Sequence, residues 1–131
     1  MSGESNVEKD STNKADVNVL IIDDDENITR TFSRILQKKG YHTDTAQTGK
    51  EAMQKATARA YNVALIDVCL PDMNGMELVN KLSDHTGKMV KIVITGFPSM
   101  ANHDAHPDAY LLKPVKPQEL LALINQKTTQ A

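Results

Sequence analysis

Four apolar segments of the 131-residue sequence each end at a side chain that can take part in chemistry. These terminal residues are Asp23, Asp67, Thr95 and Lys113, and a second carboxylate, Asp24, follows the first. Carboxylates held close together repel one another, and a hard cation that prefers oxygen ligands, such as Mg²⁺, relieves that repulsion. A carboxylate can also attack phosphorus, and an ammonium and a hydroxyl can hold the transferred oxygens. The residue types therefore indicate phosphoryl transfer at a metal site, if the fold brings them together.

The segments that end at these residues have the composition of buried strands. They cover residues 17–22, 63–66, 90–94 and 109–112, and a weaker strand is predicted over residues 41–46. Short, nearly continuous runs of β-branched and other apolar residues are typical of parallel strands that are covered on both faces.

Helical patterns separate the predicted strands. Apolar residues on one face predict a first helix that Gly40 ends, and Thr48 to Glu51 resembles a capping box that opens a second. Met76, Leu78, Val79 and Leu82 predict a third, and Pro117 suits the first turn of the last. This alternation predicts a parallel sheet with helices on both faces, whose strands all end at one edge.

An aspartate after a strand, or a lysine before a proline, has a structural explanation when it stands alone. Four such residues at one edge favour a functional site.

Composition points to one ordinary domain. Hydrophobic residues make up 40% of the chain and charged residues 24%, with a formal net charge of −2. We therefore expect no direct binding to nucleic acid and, since no apolar run approaches the roughly 20 residues of a membrane span, no membrane segment. The single cysteine, Cys69, excludes an internal disulfide and fits a cytoplasmic location. We predict a disordered polar tail over residues 1–16, the folded domain over 17–127, and a short tail over 128–131.

Four motifs, in this order, resemble the receiver domains of two-component response regulators. They are Ile21-Ile22-Asp23-Asp24-Asp25, Leu65-Ile66-Asp67-Val68-Cys69-Leu70-Pro71-Asp72-Met73-Asn74-Gly75, Val93-Ile94-Thr95-Gly96 and Tyr110-Leu111-Leu112-Lys113-Pro114. The resemblance covers residues from about 17 to 124. It implies a flavodoxin-like α/β fold, with a doubly wound five-stranded parallel sheet in the order 2-1-3-4-5.

The resemblance also implies roles for the acidic residues. Asp67 corresponds to the phosphoacceptor. Asp23 and Asp24 correspond to the acidic pair that binds Mg²⁺ together with Asp67, and the backbone carbonyl of Cys69 corresponds to a further ligand. The implied phosphodonor is a sensor histidine kinase or a histidine phosphotransfer protein.

Other positions correspond to the family's switch and phosphate-binding residues. Thr95 matches the switch hydroxyl, Tyr110 the aromatic switch, and Lys113 the lysine that pairs with phosphate. The bond from Lys113 to Pro114 is often cis in such domains. We interpret Gly96 as a small residue that leaves the acceptor open to a phosphodonor, and Gly75 as a residue whose backbone conformation a side chain would resist.

The sequence departs from the family between residues 96 and 109. The segment is short and polar, and Pro107 disfavours a helix through the residue before it. We predict a shortened fourth helix region, no more than a turn or two long. We therefore expect a monomer or weak dimer, with an output surface unlike that of ordinary receivers.

Two other functions compete with a phosphorylated receiver. A haloacid-dehalogenase-like phosphatase also uses an aspartate at a strand end, but it requires a second aspartate where this chain has Cys69. A pseudo-receiver, which acts only as a protein-interaction module, should have lost one of its site residues, and all are present.

Overall fold

Strands and helices alternate along the chain as the apolar pattern predicts. The computed structural model describes residues 14–86, 88–96 and 105–129. Over these ranges the elements are a 3-10 turn (Lys14–Asp16), β1 (Asn18–Ile22), α1 (Glu26–Lys38), β2 (His42–Ala46), α2 (Gly49–Ala58), β3 (Val63–Asp67), α3 (Gly75–Thr86), β4 (Val90–Thr95), β5 (Ala109–Leu112) and α4 (Pro117–Thr129).

The five strands form one parallel sheet in the order β2-β1-β3-β4-β5, which confirms the predicted fold. The chain runs from β1 outward to β2 and then returns past β1 to β3, so the direction of winding changes between β1 and β3. Ligands of doubly wound sheets bind in the crevice at such a switch point, beyond the carboxyl ends of the strands. Asp23 and Asp67 lie at this crevice, directly after β1 and at the end of β3.

Both faces of the sheet are covered at β1, β3 and β4, which explains why these strands read as nearly continuous apolar runs. Side chains alternate along a strand. Leu20 and Ile22 of β1 therefore pack on the face that also carries Ala52 of α2 and Leu78 of α3. Val19 and Ile21 point to the other face, where Leu36 of α1 and Leu120 and Ile124 of α4 complete the core.

Local sequence signals set the ends of the helices. Asp25 caps α1, and its side chain accepts a hydrogen bond of 2.9 Å from the N–H of Asn27. Gly40 follows the helix with a φ of 97°, a left-handed conformation that glycine adopts at little cost. At the start of α2, Thr48 Oγ1 accepts a hydrogen bond of 2.9 Å from the N–H of Glu51, as the capping-box pattern predicts.

Two predicted boundaries differ in the structure. Lys14–Asp16, assigned to the disordered tail, form a 3-10 turn in which Lys14 O accepts a hydrogen bond from Val17 N. Helix α4 continues to Thr129, beyond the predicted domain end at residue 127. The shortened helix predicted after Thr95 falls largely on residues 97–104, which lie outside the described residues, as do residues 1–13. No helix in the described part of the chain has the length and apolar character needed to cross a membrane.

Candidate functional site

Three carboxylates converge at the switch point of the sheet. Asp23, Asp24 and Asp67 each place an oxygen within 4.8 Å of the others. Asp23 and Asp67 are buried, whereas Asp24 is exposed. The three residues that the sequence proposed as metal ligands through their side chains are therefore brought together, with one side open to solvent.

The surroundings of Asp23 oppose its ionisation in the absence of a cation. Burial raises the pKa of Asp23 above its usual value, and the nearby Asp67 carboxylate adds to the rise. A hydrogen bond of 2.9 Å from the N–H of Asp25 to Asp23 Oδ1 acts in the opposite direction. The backbone of Asp23 is fixed as well, because its N–H donates to Ala46 O at 3.0 Å.

Lys113 reaches the same cluster from the end of β5. Its Nζ lies 3.3 Å from Asp67 Oδ1 and 3.4 Å from Asp23 Oδ2, distances of ion pairs that are long for hydrogen bonds. Burial by itself lowers the pKa of Lys113, but attraction to Asp23 and Asp67 outweighs it, so the pKa lies above the usual value. The lysine thus stays charged and offsets part of the negative charge of the cluster.

The donor set suits a hard divalent cation. Carboxylate oxygens are the side-chain ligands that Mg²⁺ and Ca²⁺ prefer, and Mg²⁺ commonly uses one or two of them together with water and phosphate oxygens. Cys69, whose carbonyl was the fourth predicted ligand, lies in the β3–α3 loop two residues after Asp67. Its side chain is exposed, and its backbone forms a bridge with Asn74.

The two predicted switch residues lie in different environments. Thr95 ends β4 and is 2% exposed, and its carbonyl accepts a 2.9 Å hydrogen bond from Lys113 N. Asp67 pairs in the sheet with Ile94, so Thr95 is one residue beyond the partner of Asp67. Tyr110 is 49% exposed and pairs with Val93. The structure thus places Thr95 at the site edge and Tyr110 two residues farther from that edge.

Pro114 and the two glycines complete the predicted set. The bond from Lys113 to Pro114 is cis, as expected. A Cβ added at Gly96 would lie 3.8 Å from Lys113 Cβ, an ordinary contact that leaves room for a small side chain. We predicted that Gly75 is needed for a backbone conformation that a side chain would resist. That explanation was wrong, because the φ of Gly75 is not positive. A Cβ there would collide with Asp67 O and come within 2.8 Å of Val68 Cα, so close approach of α3 to β3 requires the glycine.

Sequence reasoning missed Asp72 as part of the site's surroundings. Its carboxylate accepts hydrogen bonds of 2.8 Å from Gly49 N and 2.9 Å from Lys50 N. These bonds lower the pKa of Asp72. The partners are 23 and 22 residues away in sequence, so no local pattern reveals the contact.

Comparison with known proteins agrees with this geometry. The model of the response regulator receiver domain family matches residues 19–125. Response regulator ArlR of Staphylococcus aureus is 31% identical over 110 residues, which cover 81% of this chain and 50% of the relative. The chain spans about half the length of the curated relatives it matches.

Solved structures show the same similarity. A CheY-like receiver domain from Methanospirillum hungatei is 38% identical with a TM-score of 0.80, over 85% of this chain and 92% of that one. A response regulator from Burkholderia pseudomallei, solved with a phosphorylated aspartic acid, calcium ion and citrate, is 31% identical with a TM-score of 0.74. That match covers 82% of this chain and 65% of the other. This chain belongs to the response regulator receiver domain family.

Proposed function

We propose that this domain accepts a phosphoryl group on Asp67 in a two-component phosphorelay. The observation that carries the proposal is the convergence of Asp23, Asp24 and Asp67 with Lys113 at the end of β3. A cluster of carboxylates beside one ammonium suits a site that receives both a cation and a phosphoryl group.

The proposed donor is a phosphohistidine on a sensor histidine kinase or a histidine phosphotransfer protein. An oxygen of Asp67 forms a bond to phosphorus while the bond from phosphorus to the histidine nitrogen breaks, and the imidazole keeps that electron pair. Lys113 attracts one phosphoryl oxygen and the Thr95 hydroxyl donates to another. The phosphorylated aspartic acid in the Burkholderia pseudomallei relative supports this assignment.

Asp23, Asp24 and Asp67 would hold Mg²⁺ by their side chains, and Cys69 by its backbone carbonyl. When bound, the ion would neutralise negative charge on the phosphoryl oxygens and the carboxylates. The calcium ion in the same relative is consistent with a divalent site. The protein catalyses only its own phosphorylation and dephosphorylation, so it is a signalling domain rather than a metabolic enzyme.

Phosphorylation then changes the population of two conformations. Thr95 moves toward the phosphoryl oxygen and Tyr110, now exposed, turns inward. The output passes to a partner or a fused domain through α1 or α4, and the domain acts in the cytoplasm as a monomer or weak dimer.

Metal-dependent turnover of acetyl phosphate tests the proposal. We expect the protein to consume acetyl phosphate and release inorganic phosphate in Mg²⁺, and to stop when a chelator is added. A pseudo-receiver, the second candidate, would show neither covalent labelling nor turnover with Mg²⁺. That result in folded protein would contradict the proposed function.

A further inference from the structure

The loop that follows Asp67 is fixed at both of its ends. At its start, Val68 O accepts a 2.7 Å hydrogen bond from Gly75 N, the first residue of α3. At its end, Asn74 Oδ1 accepts a 2.7 Å bond from Met76 N, which caps the helix. The loop therefore returns close to its own starting point. Cys69 lies near the start of this loop, where its backbone forms a bridge with Asn74 and its side chain is exposed.

Two consecutive residues of this loop, Asp72 and Met73, contact the first turn of α2. The Asp72 carboxylate accepts the N–H groups of Gly49 and Lys50, one with each oxygen. The side chain of Met73 occupies the space that a Cβ at Gly49 would need, with its Cε 2.6 Å from that position. A hydrogen-bonded carboxylate and a close apolar contact thus hold the loop on α2.

The contact completes the N-terminus of α2. A helix leaves its first N–H groups without partners inside the helix. Here Gly49 N and Lys50 N donate to Asp72, Glu51 N donates to Thr48 Oγ1, and a carboxylate at this end is also favoured by the helix dipole. The lowered pKa of Asp72 agrees with this arrangement. The loop from β3 therefore supplies a cap that the helix does not provide from its own sequence.

The same helix start is connected to the other side of the acidic cluster. The residue that ends β2, Ala46, accepts the N–H of Asp23 at 3.0 Å. Residues 46–50 thus link the backbone of Asp23 to the Asp72 carboxylate, while residues 67–72 link that carboxylate to Asp67. A continuous path of covalent and hydrogen bonds therefore joins the backbones of Asp23 and Asp67 through the start of α2.

We propose that Asp72 is a positioning residue, which holds the loop after Asp67 in the shape required for Mg²⁺ binding and for a stable phosphoryl group. The inference rests on the proposed function. Asp72 is not one of the three clustered carboxylates and would act through the loop that carries Cys69. Residues that orient metal ligands typically affect metal affinity by about tenfold or more when they are lost.

Mg²⁺ binding to the full chain, measured by titration calorimetry, tests the inference. Asp72→Ala should lower Mg²⁺ affinity by about tenfold, and Asp72→Asn, which retains one acceptor oxygen, should lower it by less. Thr48→Ala is the matched control, because it removes a cap from the same helix end and leaves the loop contact in place. Both alanine variants should lose similar stability in urea unfolding, but Thr48→Ala should keep the parent's Mg²⁺ affinity.

The lifetime of the phosphorylated protein gives a second readout. After labelling with acetyl phosphate and removal of the donor, Asp72→Ala should lose its phosphoryl group at a rate different from that of the parent and of Thr48→Ala. Equal Mg²⁺ affinity and equal lifetime in all three would overturn the inference and leave the proposed function intact. A parent protein that binds no Mg²⁺ and takes no label would overturn both. If Asp72→Ala fails to fold, the Mg²⁺ affinity and phosphoryl lifetime of Asp72→Asn are compared with those of the parent and Thr48→Ala instead, and equal values would overturn the inference.

Discussion

Lys113 Nζ lies 3.3 Å from Asp67 Oδ1, nearly the same distance that separates it from Asp23 Oδ2. The ammonium is therefore shared by two carboxylates that also belong to the candidate cation site. In the proposed function, a positive charge in this position would compete with a cation before phosphorylation and attract the phosphoryl oxygens after it. The charge of Lys113 should therefore weaken cation binding and strengthen phosphoryl binding. A single substitution of Lys113 can test both effects, because it should change the two affinities in opposite directions.

Lys113→Ala should bind Mg²⁺ more tightly than the parent does. In water, a unit charge and a divalent ion roughly 5 Å apart repel each other by about 1.6 kcal/mol, so affinity should rise by about tenfold. The same variant should hold the phosphoryl group less well. Lys116→Ala, which removes an exposed lysine nearby, is the control for net charge. Calorimetry that gives Lys113→Ala the same Mg²⁺ affinity as Lys116→Ala would contradict the competition.

Asp24→Ala should lose most metal binding and most metal-dependent labelling. Asp24 is the exposed member of the carboxylate cluster, so a hydrated cation entering the proposed site would meet it first. We expect Mg²⁺ affinity to fall by at least about tenfold, or about 1.4 kcal/mol. Asp84→Ala removes the same charge from the exposed surface of α3 and serves as the control. If calorimetry finds parental affinity in Asp24→Ala, Asp24 is not a ligand.

Beryllofluoride, a mimic of the phosphoryl group, should move Thr95 and Tyr110. Thr95 should approach the mimic, and the exposed fraction of Tyr110 should fall from 49%. A shift from mostly inactive to mostly active requires the mimic to favour one state by about 5.5 kcal/mol. Crystal structures with and without beryllofluoride can measure both movements. Unchanged positions of the two side chains would argue against the switch.

Because of the Tyr61 hydroxyl, the free energy of unfolding should fall as the pH rises in the alkaline range. Burial raises the pKa of Tyr61, and its 2.6 Å hydrogen bond to Asp44 Oδ2 raises it further. The pKa of Tyr61 in the folded protein exceeds its value of about 10 in the unfolded chain. The stabilisation by the Tyr61 hydroxyl is therefore complete below about pH 10 and decreases as the pH rises above it.

Urea unfolding of the parent and Tyr61→Phe, at about pH 8 and about pH 11, measures this contribution. At the lower pH, Tyr61→Phe should be less stable by about 1.5 kcal/mol or more, because the bond goes to a charged acceptor. The difference between the two proteins should shrink as pH rises. A difference that stays constant would contradict the raised pKa.

The order and type of the secondary-structure elements were predictable from the sequence, because β1, β3 and β4 are buried on both faces and read as apolar runs. In addition, every strand except β2 ends at or next to a distinctive residue. The position of Asp23, Asp24, Asp67 and Lys113 at one edge of the sheet was predictable as well. That prediction needs only the rule that parallel strands end at the same edge, and no knowledge of contacts between side chains.

Contacts between distant segments were not predictable in this way. The bonds from Asp72 to the start of α2 join residues on two connections that the sequence pattern treats as separate. Gly75 appeared to be a turn glycine, although the neighbouring backbone of Asp67 is what excludes a side chain. Both depend on how closely loops approach helices and strands, which hydrophobic periodicity does not encode.

Asp67 is the proposed carrier of the phosphoryl group. The direct measurement is mass spectrometry of the parent and Asp67→Asn after incubation with acetyl phosphate and Mg²⁺, with peptide mapping of any label. We expect one phosphoryl group on the parent, mapped to Asp67 and absent when a chelator is added, and no stable label on Asp67→Asn. Undiminished labelling of Asp67→Asn, mapped to another residue, would contradict it.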